Sequence, residues 1–159
     1  MFHVVLVAPE IPPNTGNIAR LCLASGAILH LVEPIGFSLD DRALKRAGLD
    51  YWDQVQVRRW ESLETLQKAA PPGARFFYAT TKCKRPYFEV NYEKGDHLVF
   101  GRETKGLPER LLNANPDKLI TIPMTTKARS LNLATAVAIV LYDAIRQRLE
   151  LGDALAPPS

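Results

Sequence analysis

Cysteine is scarce. The chain of 159 residues has two, Cys22 and Cys83. They lie too far apart for a Cys-x-x-Cys pair and there is no second pair, which argues against a zinc site and against a disulfide scaffold. No apolar run approaches the ~18 residues of a membrane-spanning helix. The opening apolar run ends at Pro9 and Glu10 and has no basic stretch before it, so no signal peptide is expected. The cytoplasm is the expected location, and no membrane partner is expected. The histidines, His3, His30 and His97, show no ligand spacing. Structural roles are expected for them, and no metal.

What is present is ordinary for a globular protein. Hydrophobic residues make up 47% and charged residues 23%. Twenty Lys and Arg stand against 17 Asp and Glu, a net charge of +3. That permits an anionic partner without requiring one. A chain this long buries roughly 70% of its unfolded surface, so residues 1–153 are expected to form one domain. Residues 154–159, with Pro157 and Pro158, read as a loose tail.

Apolar runs alternate with helical periods. Strands are expected at His3–Ala8, Ile28–Val32, Gln54–Trp60, Arg75–Thr80, His97–Gly101 and Leu119–Pro123. A helix is expected from Asn17 to a stop at Gly26, and another from Asp40 or Asp41 to a stop at Gly48. Further helices are expected after Ser62, after Pro108, and from Leu131 onward with Leu133, Val137, Val140, Leu141, Ala144, Ile145 and Leu149 inward. This alternation predicts an α/β fold with a mainly parallel sheet flanked by helices.

Three strand-to-loop junctions carry unusual residues. The first is Ile11-Pro12-Pro13-Asn14-Thr15-Gly16-Asn17-Ile18-Ala19-Arg20. Asn14 and Gly16 suit turn chemistry. Arg20, early in a helix whose apolar face is already supplied, suits a phosphate or another anion. The second runs from Phe100 through Gly101, Arg102, Glu103, Thr104 and Lys105 to Gly106. Its glycine spacing matches a phosphate loop, but Leu107-Pro108 stands where Lys-Ser/Thr is required, so a Walker A loop is excluded. The third runs from Ile122-Pro123-Met124 to Ser130-Leu131-Asn132-Leu133, where Ser130 or Asn132 can cap the following helix. Ligands of open α/β sheets bind outside the carboxyl ends of the strands, so the three junctions are expected to meet in one pocket. No Gly-x-Gly-x-x-Gly follows the first strand, so a dinucleotide fold is not supported.

In this order the three segments resemble the motifs of the SPOUT superfamily of RNA methyltransferases. The likeness is greatest to the short branch that methylates the ribose 2′-oxygen of the wobble nucleotide, position 34, in tRNA anticodon loops. It spans Val4 to about Leu149 and includes Glu33-Pro34-Ile35-Gly36-Phe37 and Arg46-Ala47-Gly48-Leu49-Asp50-Tyr51. The resemblance implies a C-terminal deep trefoil knot, which ordinary topology rules would not propose. It implies S-adenosylmethionine as cofactor, held around Ala79, Thr80, Gly101, Ile122, Met124, Ser130, Leu131 and Leu133. It also implies a homodimer, with Asn14, Arg20, Glu103, Ser130 and Asn132 at the reacting ribose. A guanidinium keeps its proton in proteins. Arg20 is therefore expected to polarise the hydroxyl or grip the adjacent phosphate, with Glu103 orienting it through a charge-assisted bond.

RNA recognition is expected to come from the catalytic domain and its symmetry mate. Lys82, Arg85, Lys127, Arg129 and Tyr142 are the residues expected to touch the tRNA anticodon stem-loop. Arg42, Lys45, Arg46 and Lys84 are further basic candidates. Tyr87 and Phe88 could stack on an unpaired base, and Tyr142 could equally serve the dimer. Cys83, between Lys82 and Lys84, could be a reactive thiol. The competing readings are 2′-O-methylation of another RNA, such as ribosomal RNA, and a non-catalytic dimer that binds RNA or a nucleotide.

Overall fold

The computed structural model describes residues 1–47 and 52–155. The expected helix stop at Gly48, the Gly48-Leu49-Asp50-Tyr51 stretch and residues 156–159 of the tail lie outside the described residues.

The elements run β1 (His3–Val7), α1 (Pro12–Ser25), β2 (Ile28–Val32), α2 (Arg42–Ala47), β3 (Val57–Trp60), α3 (Leu63–Ala69), β4 (Phe76–Ala79), β5 (His97–Phe100), α4 (Glu109–Ala114), β6 (Leu119–Ile120) and α5 (Leu133–Glu150). The strands form one six-stranded sheet in the order β3-β2-β1-β5-β4-β6. Every pairing is parallel. Parallel strands are covered on both faces, which is why β2 and β5 are buried at every position. Ile18 and Cys22 of α1 pack with Val137, Val140 and Leu141 of α5 in one apolar cluster, which includes Leu6, Leu29 and Leu98. A second cluster joins Leu63 and Leu66 of α3, and Leu112 of α4, to Val5, Tyr78 and Val99. No helix among the described residues is long and apolar enough to cross a membrane.

Local chemistry sets the ends. α1 starts at Pro12, five residues before the expected Asn17. Proline is favoured in the first helical turn, where its missing N–H costs nothing and its φ is already set. Gly26, at φ 74°, ends α1 where expected. Asp41 caps α2 by accepting from the Ala43 and Leu44 amides at 2.7 and 3.2 Å. Ser62 caps α3 by accepting from the Thr65 amide at 3.1 Å. α5 begins at Leu133 rather than Leu131, because Asn132 is its cap and accepts from the Thr135 amide at 3.2 Å. The third strand is shorter than expected because a 3-10 turn takes up Trp52–Gln54. The sixth stops at Ile120, after which Thr121 bridges to Pro86 outside the sheet.

Candidate active site

A cavity of about 280 Å³ opens beyond the carboxyl ends of β4, β5 and β6. Ala79, Thr80, Gly101, Ile122, Met124, Ser130, Leu131 and Leu133 all line it, as the sequence led us to expect. Leu107 and Leu112 add apolar wall. Apolar walls beside backbone-rich loops at strand ends suit a small, partly apolar ligand with a few polar groups. The loop after β5 folds tightly on itself: Arg102 and Gly106 exchange backbone hydrogen bonds of 3.2 and 2.9 Å. A Cβ on Gly101 would lie 2.1 Å from the Gly106 carbonyl carbon. Only glycine permits that approach.

Glu103 lines this cavity but does not orient Arg20. Its carboxylate faces the start of α1 instead, accepting from the Glu10 amide at 3.0 and 3.3 Å and from the Ile11 amide at 2.6 Å. Free amides at a helix start favour a carboxylate there. The expected Glu103–Arg20 bond is therefore not made. Arg20 is exposed and, among the described residues, has no ion-pair partner. The helix start does not offer a phosphate site either, because Pro12 and Pro13 lack N–H groups, Glu103 takes the Glu10 and Ile11 amides, and the Asn14 and Thr15 amides donate to the Ile11 carbonyl.

Gly16 is not a turn residue. It lies within α1, where a Cβ would come 2.2 Å from the Leu44 carbonyl oxygen of α2. Asn14 is buried in the first turn of α1, and Asn132 Nδ2 donates to its Oδ1 at 3.0 Å. The first and third junctions thus touch, but no residue of the first lines the cavity, so the three do not share one pocket as expected. Asn14, Arg20 and Asn132 lie outside the cavity lining, whereas Glu103 and Ser130 lie within it.

Of the expected RNA contacts, Lys82 and Arg129 line the cavity. Lys82 Nζ is engaged by Glu109 at 2.9 Å, and Arg85 donates to the Asp117 carbonyl at 3.1 Å. Lys127 is exposed, and so is Phe88. Tyr142 sits elsewhere, in a shallow hollow with Ile145, Leu149 and Leu155. Cys83 does not behave as an activated thiol: burial raises its pKa, and Arg85 only partly opposes this.

Sequence spacing missed two groupings. Glu10 accepts from both the amide and the hydroxyl of Thr104, at 3.1 and 2.7 Å. Those bonds, the hydroxyl's first, hold its carboxyl below the usual carboxylate range. The only signal in the sequence was the place of Glu10 just ahead of a helix start that has no cap of its own. The second grouping is His3, His30 and His97, which bring one ring nitrogen each within 4.8 Å of the others. They lie on adjacent strands at the opposite end of the sheet. His3 stacks on His97 with centroids 4.1 Å apart, and the His97 Nδ1 is buried without a hydrogen bond. Trp60 Nε1 donates to His30 Nδ1 at 2.9 Å, so the His30 proton is on Nε2 and points to His3 Nδ1 at 2.8 Å. Burial is the largest cause in lowering all three, His3 to about 4 and His30 to about 3.

Residues 1–142 match the profile of the SpoU rRNA Methylase family. A tRNA (cytidine(34)-2′-O)-methyltransferase of Escherichia coli (strain K12) is 48% identical over 148 residues, covering 92% of this chain and 94% of its own. A solved structure described as giving structural insights into the 2-OH methylation of C/U34 on tRNA superposes with a TM-score of 0.90. It is 45% identical and the match covers 94% of this chain and 97% of that one. The SpoU methyltransferase AviRb from Streptomyces viridochromogenes, in complex with AdoMet, superposes with a TM-score of 0.82 at 26% identity, over 93% of this chain and 60% of that one.

Proposed function

The chain belongs to the SpoU methylase family, and from that premise we propose that it transfers a methyl group from S-adenosylmethionine to the ribose 2′-hydroxyl of nucleotide 34 in tRNA anticodon loops. The observation that carries this reading is that all eight residues expected at the cofactor line one cavity at the strand ends. The full-length likeness to tRNA (cytidine(34)-2′-O)-methyltransferases supports the choice of RNA and nucleotide over ribosomal RNA. We read residues 1–153 as one methyltransferase domain with a deep trefoil knot, supported by a final helix that returns over β5 and α1. A tRNA substrate places the protein in the cytoplasm. The reading includes no metal.

S-adenosylmethionine, when bound, supplies a methyl group activated by a sulfonium. Holding the reacting ribose oxygen close to that methyl group would supply much of the rate. Asn132 occupies the Asn14 carbonyl, which leaves the Asn14 amide nitrogen as a donor for the nucleotide. Arg20 is an exposed cation with no ion-pair partner among the described residues. It polarises the 2′-hydroxyl or grips the adjacent phosphate, which takes the proton. Ser130, exposed on the cavity wall, is the hydroxyl we read as facing both cofactor and ribose. Lys82, Arg129 and Lys127 supply positive charge for the RNA backbone beside the cavity.

Methyl transfer from labelled S-adenosylmethionine to total tRNA, with product nucleosides mapped by mass spectrometry, tests the reading. A 2′-O-methyl mark at nucleotide 34 is the expected result. A mark elsewhere overturns the substrate and keeps the chemistry. Cofactor binding without transfer to any RNA overturns the enzyme reading.

A further inference from the structure

We propose that Glu10 is a positioning residue: with Thr104 it completes a two-way carboxylate clasp through which occupancy of the cofactor cavity is felt at the helix that carries Asn14 and Arg20. The proposal rests on the cofactor reading given above.

The clasp joins segments 93 residues apart. Glu103 reaches across to take the Glu10 and Ile11 amides, and Glu10 reaches back to take the Thr104 amide and hydroxyl. Each carboxylate thus fixes the backbone of the other's loop. Glu103 and Thr104 line the cavity, whereas Glu10 and Ile11 do not. A ligand that settles the first pair therefore acts on the second.

The start of α1 depends on this tie. Its cap residue, Ile11, makes no side-chain bond, and the next two residues are prolines without N–H groups. Glu103 is the carboxylate that meets the positive end of the helix. Two residues before Glu10, Ala8 sits at φ 54°, in the left-handed region that a non-glycine residue adopts only where its surroundings hold it. An entry strained in this way relaxes when a tether is cut. The tether to Glu10 is a pair of charge-assisted bonds at a partly exposed rim, strong enough to order a loop and weak enough to open. Release of Thr104 leaves Glu103 holding α1 from a loosened loop, and Asn14 and Arg20 then lose their fixed place relative to the cavity.

The test combines hydrogen exchange with kinetics on the full chain. Without cofactor, Glu10→Ala is expected to speed exchange of the Thr104 amide by about tenfold. Adding S-adenosylhomocysteine is expected to slow exchange at the Glu10 and Ile11 amides several-fold in the wild-type chain. It is expected to leave them unchanged in Glu10→Ala and in Thr104→Val. In turnover, Glu10→Ala is expected to lower kcat by about tenfold with the KM for S-adenosylmethionine within about twofold. Glu10→Gln, whose amide oxygen still accepts from Thr104, recovers most of that loss. An unchanged Thr104 amide overturns the clasp, whether or not cofactor binds. Equal protection in wild type and variants, or no cofactor binding at all, overturns the coupling. A kcat loss that glutamine does not rescue overturns the positioning role. Binding of the cofactor without tRNA methylation overturns the substrate reading alone, and the exchange results then decide the clasp.

Discussion

The Asn132 amide holds Asn14 through its nitrogen and caps α5 through its oxygen. The two bonds separate by substitution. Asn132→Asp keeps the capping oxygen and loses the donor, so Asn14 turns its own nitrogen toward the new carboxylate. Thermal stability is expected to stay within about 0.5 kcal/mol while kcat falls about tenfold or more. Asn132→Ala is expected to show the same kcat loss and to cost a further ~1 kcal/mol of stability for the missing cap. Equal activity in the aspartate variant and the wild type would remove Asn14 from the site. Arg20 is exposed and makes no ion pair among the described residues, so Arg20→Lys is expected to melt like the wild type. Its kcat is expected to drop about a hundredfold, because an ammonium cannot span a hydroxyl and a phosphate as a planar fork does. Near-full turnover in Arg20→Lys would refute the bidentate role.

Helices and strands impose demands of their own. α1 and α2 approach so closely at Gly16 that a methyl group there meets the Leu44 carbonyl at 2.2 Å and the Ala47 Cβ at 2.8 Å. Gly16→Ala is expected to destabilise by about 1–3 kcal/mol, read as a lower denaturation midpoint. At the other end of the sheet, β1, β2 and β5 share the stacked histidines. Their folded pKa values lie below the unfolded value of 6.5, so the unfolded chain binds more protons in that interval. Stability is full above about pH 6.5 and is lost as pH falls toward about 4. With the partly exposed His3 discounted for screening, the loss between pH 7.5 and 5 is expected to be about 2 kcal/mol. His30→Gln should flatten that slope in thermal melts. These two cases also mark what the sequence could express. Runs such as Val4-Val5-Leu6, stops such as Gly26 and caps such as Ser62 act within a few residues, and they were legible. The eight cavity residues came from the family resemblance and not from any local pattern. The histidines are 27 and 67 residues apart and meet only through the parallel register, in which His3 pairs with His97 and Val5 with His30. The true partner of Glu103 was hidden as well, since Arg20 and the helix start are both far away in sequence and nothing local chooses between them.

At the scale of the whole molecule, one surface remains unaccounted for by the cavity and its loops. Around the far half of α5, Tyr142, Leu149, Leu151 and Leu155 are exposed, and three of them share a shallow hollow with Ile145. Apolar side chains gathered this way are costly to leave in water and mark an association face. The resemblance implies two copies, and a two-fold pairing requires a patch that can meet itself. On that reading Tyr142, placed away from the cavity lining, is expected to serve the pairing rather than the RNA. Light scattering behind size exclusion is expected to give twice the chain mass for the wild type. Leu149→Lys is expected to halve it, because burying an unpaired ammonium at the contact costs several kcal/mol. Tyr142→Asp should do the same. If Tyr142→Asp instead raised the KM for tRNA while the mass stayed doubled, the residue would serve the RNA and the pairing face would have to lie elsewhere. If the wild-type chain ran at its single mass and still methylated tRNA, one copy would hold every group the reaction needs. The open cation of Arg20 would then have to find its phosphate without help from a second chain.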